Sequence, residues 1–284
     1  MRQSRLGVLL RNGRRISRRR LLVGIGAAGG LAALGWAGAS AISGKGPLAL
    51  VYRGPAAGSG CAEAVAALLR SAPAGFRTEY CGPDEERQLS RSTLAEAAVY
   101  AQPGGGNVNR AWRRMRDHAE DIRGFVHDGG SYLGFCLGAY LAAADPGFGL
   151  IDGKVDQYIG TDGASVDSTD DTVIAVTWRG RVRHMYFQDG PTFELGAGVP
   201  GAVLATYDNG APAAVVTTFG AGRVGLVGPH PEADRSWYAD IGLTNPDGIR
   251  FDLGYDLIES TLDQEGSAAR RSAALAAPHL SSVK

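Results

Sequence analysis

The segment Gly134-Phe135-Cys136-Leu137-Gly138 sets a thiol between two glycines, directly after the apolar run 131–135 and before a helix-like stretch. A nucleophile on a sharp strand-to-helix turn stands clear of the backbone, and glycines two residues to either side remove the side chains its strained geometry would strike. Free N–H groups at the start of the following helix would favour the thiolate. The same five residues also suit a small buried cysteine in a glycine-rich turn, so the pattern needs company. Gly228-Pro229-His230-Pro231-Glu232 supplies it, just after the strand-like run that ends at Val227. His230 can act as the base for Cys136, while Glu232 fixes the imidazole tautomer and supports its charged form. In the third piece, Pro103-Gly104-Gly105-Gly106, glycine backbone can aim N–H groups at a developing oxyanion, with Gly105 and Leu137 as donors. A simple turn or a phosphate-binding loop is the alternative there, although Asn107-Val108 stands where a Walker-type loop has Lys-Ser or Lys-Thr.

These loops work together only if strand ends bring them together. Residues 48–52, 76–80, 96–101 and 131–135 read as buried strands, with helices over 61–69, from Asn109 to about 128, and over 137–144. In the long helix Trp112, Met115, Ala119, Ile122 and Val126 recur at steps of three and four; Asn109 is the expected cap and Asp128-Gly129-Gly130 the stop. This rhythm predicts an α/β fold whose parallel sheet is covered on both faces, with sites at the C-terminal strand ends. The second half adds strands at 172–178, 181–187, 202–207, 213–219 and 223–227, with hairpins at Arg179-Gly180 and Asn209-Gly210, and a late helix over 253–262.

Among 284 residues, glycine is in excess at 42, without the period of collagen. Lys plus Arg and Asp plus Glu balance at 29 each, but residues 1–41 hold eight arginines and no acid. The remainder carries 21 basic against 29 acidic residues, a net of −8, which argues against a nucleic-acid partner. Ser17-Arg18-Arg19-Arg20-Leu21-Leu22 resembles a twin-arginine export signal, followed by an uncharged Gly/Ala-rich stretch and a small-residue cleavage site at Ala39-Ser40-Ala41. Two outcomes place the rest outside the cytoplasm: cleavage, leaving the export machinery as the only partner here, or retention as a membrane anchor. The expected organisation is an export signal at 1–41, a linker at 42–47, one domain at 48–263 and a flexible tail at 264–284.

The order P-G-G-G, then G-G-x-Y-L-G-F-C-L-G-A-Y, then H-P-E resembles the class I glutamine-amidotransferase-like superfamily, nearest the branch similar to the N-terminal domain of biotin–protein ligase. The likeness runs from about Leu48 to Leu262 and is most specific from Gly129 to Tyr140. It implies a flavodoxin-like three-layer sandwich with a mainly parallel central sheet, and a site built on Cys136, His230 and Glu232. Phe135 departs tolerably, standing where many relatives have Ile or Val. No ligase catalytic or biotin-binding region is recognisable, and no synthetase domain is attached to receive ammonia. Hydrolysis of a small-molecule or peptide-like amide, without a cofactor, is therefore the expected activity, and a catalytically inactive binding module the alternative.

For substrate contact the expected residues are Gly104, Gly106, Tyr132, Gln188 and Asp189, with Tyr158, Tyr186 and Phe187 as further pocket candidates. Cys61 and Cys81 either form a disulfide, leaving Cys136 free, or remain two buried thiols. No metal site is expected: His118, His127, His184 and His279 lack ligand spacing, and the acidic stretch Asp152, Asp156, Asp162, Asp167, Asp170 and Asp171 lacks an ordered calcium-loop motif.

Overall fold

The computed structural model describes residues 46–262. The expected export signal, most of the expected linker, and the expected tail lie outside the described residues. In chain order the elements are β1 (Leu48–Tyr52), α1 (Cys61–Ser71), β2 (Arg77–Cys81), α2 (Arg91–Leu94), β3 (Val99–Gln102), α3 (Val108–Met115), α4 (Ala119–His127), β4 (Ser131–Phe135), α5 (Leu137–Tyr140) and β5 (Gly153–Gln157). There follow β6 (Thr172–Trp178), β7 (Arg181–Phe187), β8 (Pro191–Leu195), β9 (Gly201–Tyr207), β10 (Pro212–Phe219), β11 (Gly222–Val227), α6 (Arg235–Asp240) and α7 (Asp252–Leu262).

The main sheet has the order β2-β1-β3-β4-β11-β10-β9-β6-β7. Its first five strands pair in parallel and the rest antiparallel. β1 shows why the parallel half must be internal: all five residues are buried, with Ala49 and Val51 on one face and Leu48, Leu50 and Tyr52 on the other. On the first face α1 and α7 contribute Val65, Leu69, Leu257 and Ile258; on the second, α2 to α5 contribute Leu94, Met115, Ile122, Val126 and Leu137. The result is the expected flavodoxin-like α/β sandwich, extended by antiparallel strands.

Several expectations are corrected in detail. The helix expected from Asn109 is two helices joined by a 3-10 turn at Arg116–His118, and its cap is Asn107, whose side-chain oxygen accepts the Arg110 N–H at 3.1 Å. The apolar stripe survives the break because Met115, Ile122 and Val126 all still reach the core, whereas Arg116 and Asp117 face solvent. The helix expected over 137–144 is the single turn α5; beyond it the Ala142 and Ala143 N–H groups close tighter turns on Ala139 O and Tyr140 O. β3 starts at Val99 rather than residue 96, since the Ala97 N–H is tied into a turn on Leu94 O. The pair β5–β8 was not expected: β5 is largely exposed and offers no apolar alternation to read. Among the described residues, no helix is long and apolar enough to cross a membrane.

Candidate functional site

The site forms where three neighbouring parallel strands end. β3 runs into Pro103-Gly104-Gly105-Gly106, β4 into Cys136, and β11 into Gly228 to Glu232. In register, Gln102 faces Gly134 and Phe135 faces Val227, so the three loops leave the sheet at one level. Cys136 occupies a left-handed backbone conformation, φ 46° and ψ −102°, between β4 and α5. Such strain persists only where its surroundings hold it. Here the Cys136 N–H donates to Val227 O at 2.9 Å, and Tyr132 clamps the next turn by donating its hydroxyl to Gly138 O at 2.6 Å. The flanking glycines have the steric cause expected of them: a Cβ on Gly134 would meet Gly138 O at 2.7 Å, and one on Gly138 would overlap Gln102 O.

His230 is 4% exposed. Its Nδ1 lies 2.8 Å from Glu232 Oε1, and its N–H donates to Tyr186 O at 2.9 Å, an isolated bridge that returns the far strand of the sheet to the site. Burial works against a charged ring, but Glu232 and then Cys136 outweigh it and raise the pKa to about 10. The other Glu232 oxygen, Oε2, is buried with no hydrogen-bond partner among the described residues. Trp237 packs on the imidazole with centroids 5.1 Å apart, and Tyr186 at 5.9 Å. A Cβ on Gly104 would lie 2.8 Å from His230 Cε1 and 3.4 Å from Cys136 Cβ, so the two side chains converge on that residue.

Cys136 opens onto a cleft of about 620 Å³. Gly105, Gly106, Leu137, Gln188 and Asp189 line it. Gly104 does not; it packs against the His230 ring and the Cys136 Cβ, its carbonyl accepting the Gly58 N–H at 2.8 Å. Tyr132 is also misplaced by the sequence reading. It is fully buried against Tyr100 and Phe148, a core clamp rather than a substrate contact. Tyr158 and Phe187 are likewise core, and Tyr186 touches His230. Sequence reasoning missed Tyr140, Gln157 and Thr169 on the cleft wall, and Trp237 on the imidazole. Asn109, expected as a cap, lines the cleft instead. Tyr140 had a local signal, one helical turn after Cys136 in the same motif; Gln157, Thr169 and Trp237 had none, because tertiary pairing alone brings β5, α6 and loop residue 169 to the site.

The Cys61–Cys81 disulfide is not formed: all three cysteines are free and buried. The two thiols point to different places. Cys61 sits against the glycine loop, where a Cβ on Gly105 would meet its Sγ at 3.4 Å, while Cys81 packs in the core with Tyr52 and Leu89. Burial pushes the Cys61 thiol up to about 12, reinforced by Glu232 and Cys136, and pushes Cys81 to a similar value, reinforced by Glu85. Of the expected acidic stretch, Asp171 accepts the Tyr186 hydroxyl, and no group of three His, Cys, Asp or Glu suited to a metal occurs among the described residues.

Residues 49–160 match the family described as biotin-protein ligase, N terminal. That span holds the glycine loop and the Cys136 elbow but ends before His230, so it is shorter than the sequence likeness first suggested. No curated protein matches the chain. Among solved structures, a chain of PurLQS from Thermotoga maritima superposes with a TM-score of 0.51 at 20% identity, covering 76% of this chain and 98% of that one. The exo-beta-1,4-mannosidase Op5Man5 from Opitutaceae bacterium strain TAV5 gives a TM-score of 0.47 at 16% identity over 76% of this chain and 36% of that one. The chain is thus similar, over residues 49–160, to the N-terminal domain of biotin–protein ligase, and its fold resembles that of the PurLQS chain.

Proposed function

We propose that the protein is an exported, cysteine-dependent amide hydrolase with Cys136 as nucleophile, His230 as acid and base, and Glu232 as the group that orients and charges the imidazole. The observation that carries this reading is the buried His230–Glu232 pair at 2.8 Å converging with an elbow thiol on one glycine. The Cys136 sulfur attacks the amide carbon, and N–H groups of Gly105 and Leu137 receive the developing oxyanion. His230 then protonates the leaving amine, and water attacks the thioester to release the acid, so amide and water become acid and amine. Neither cofactor nor metal enters these steps.

One observation favours a second reading, a silent binding module: Cys136 is only 7% exposed, and its thiol contacts Gln188 O at 3.5 Å. Carbamidomethylation of Cys136 by iodoacetamide at pH 7, followed on the Cys136 peptide by mass spectrometry, separates them. The enzyme reading expects modification faster than that of a simple thiol, falling about tenfold or more in His230→Ala, in line with the usual worth of general-base assistance. Slow modification indifferent to that substitution supports the binding module. For turnover, amine release from a panel of glutaminyl and peptide-like amides should vanish in Cys136→Ala; undiminished release there ends the nucleophile assignment.

A further inference from the structure

The cleft beside Cys136 has an uneven charge. Its walls are mostly neutral: backbone of Gly105 and Gly106, then the side chains of Asn109, Gln157 and Thr169. Tyr140 is neutral as well, since burial and then the nearby Asp189 charge hold its phenol well above the usual range. Asp189 supplies the one charged carboxylate of the lining, and no lysine, arginine or histidine lines it.

Asp189 is held in place from several sides. Its backbone is left-handed, φ 51°, two residues beyond the end of β7. The Tyr140 hydroxyl donates to its carbonyl at 3.1 Å, and Gln157 Nε2 donates to Oδ1 at 2.6 Å. The preceding residue, Gln188, presents its carbonyl to the Cys136 sulfur at 3.5 Å. The carboxylate is therefore fixed one residue from a contact of the thiol, and Asp189 is itself half-buried, so its charge is less screened than in open water.

The surroundings strengthen the bias. Asp156 acts on Tyr140 from β5, and Asp170 and Asp171 follow Thr169. Of the nearby cations, Lys154 pairs with Glu194 at 3.2 Å, and Arg110 lies on α3 beside Asn109 but does not line the cleft. The positive His230 sits behind Cys136, with Glu232 against it.

We infer that the cleft selects cationic substrates: an amide carrying an ammonium or guanidinium group close to the scissile bond, paired with the Asp189 carboxylate and the amide oxygen of Gln157. The inference rests on the reading of Cys136 as the nucleophile and names the substrate class of that site. An anionic or neutral amide of the same size would leave the carboxylate facing unmatched chemistry in the cleft.

The test uses three methanethiosulfonates with the same two-carbon arm on the full chain: aminoethyl (cation), sulfonatoethyl (anion) and hydroxyethyl (neutral). Each reacts by attack of the thiolate on the sulfenyl sulfur, forming a mixed disulfide and releasing methanesulfinate. Rates are read on the Cys136 peptide by mass spectrometry and divided by those for 2-mercaptoethanol. The expected result is a cation-to-anion ratio of about ten or more at low salt, the size of effect a single partly screened charge produces at short range. That ratio should fall severalfold in Asp189→Asn, which keeps an acceptor for Gln157, and the neutral reagent divides out any general change at the thiol. It should also fall as salt is raised on the unaltered protein, which gives the answer without a variant. A ratio near one, a preference for the anion, or a ratio unmoved by both Asp189→Asn and salt overturns the inference. Failure of the nucleophile reading is seen separately, as a neutral-reagent rate that His230→Ala leaves unchanged. Absence of labelling by all three reagents overturns both, since the thiol would then not face the cleft.

Discussion

His230 carries the clearest electrostatic signal at the residue scale. An ordinary histidine loses its proton near 6.5, whereas this one holds it to about 10 because Glu232 and Cys136 outweigh its burial. The folded state therefore binds the proton more tightly than the unfolded chain does. The stabilisation is fully present below about pH 6.5 and is lost as pH rises through about 10. Urea midpoints measured from pH 6 to pH 10 should fall along this range, and His230→Gln should flatten the fall. An equally steep decline in that variant would move the cause to other groups. Cys61 offers a contrast: burial holds it protonated, at about 12, although it abuts the same glycine loop. Near neutral pH, alkylation should therefore mark Cys136 well before Cys61, and preferential labelling of Cys61 would contradict the assignment of roles.

At the scale of elements, the loop after β3 matters most. Gly104 leaves room for both reacting side chains, and a methyl group there would press on His230 Cε1 at 2.8 Å. Either the imidazole or the loop must move, so Gly104→Ala should cost about 1–3 kcal/mol, as overpacking of a filled site does, and should slow Cys136 alkylation about tenfold or more. Denaturant melts and alkylation rates on the same preparation check both halves, and normal reactivity would show that the pair tolerates displacement. α7 works differently. Leu257 and Ile258 are fully buried against the sheet, and Leu257→Ala should cost about 2–5 kcal/mol. Val182 on β7 is 65% exposed, and Val182→Thr should change stability by less than about 0.5 kcal/mol. Equal urea midpoints for these two variants would remove α7 from the folding core.

For the whole molecule, the antiparallel half of the sheet is what completes the site. β7 lies at the end of the strand order, yet Tyr186 bridges to His230, and the two residues after β7 form the cleft wall opposite Gly105 and Gly106. The parallel half supplies Cys136 and the glycine loop; the antiparallel half supplies Gln188 and Asp189 on the cleft wall. The proposed export also belongs to this scale. Replacing Arg18 and Arg19 by lysine should leave the protein inside the cytoplasm, because twin-arginine recognition reads guanidinium groups that lysine does not reproduce. Fractionation of the two chains tests this, and unaltered export of the lysine form would assign the basic segment another role.

Much of this was legible in order along the chain. The parallel strands could be read because residues buried on both faces form unbroken apolar runs, as in 48–52 and 131–135. Cys136 and the H-P-E turn could be read because glycine and proline punctuate strand ends. Helix limits failed where local polar residues broke a continuing apolar stripe, at Arg116–His118, and where the chain after Tyr140 turned more tightly than a helix. Only the tertiary structure decided the wall of the site. Gln157 and Asp189 meet across 32 residues, Cys136 and Gln188 across 52, and no periodicity encodes such encounters. It likewise decided against the disulfide, sending Cys61 to the glycine loop and Cys81 to the core, because the direction of a side chain depends on the packing around it rather than on its place in the sequence.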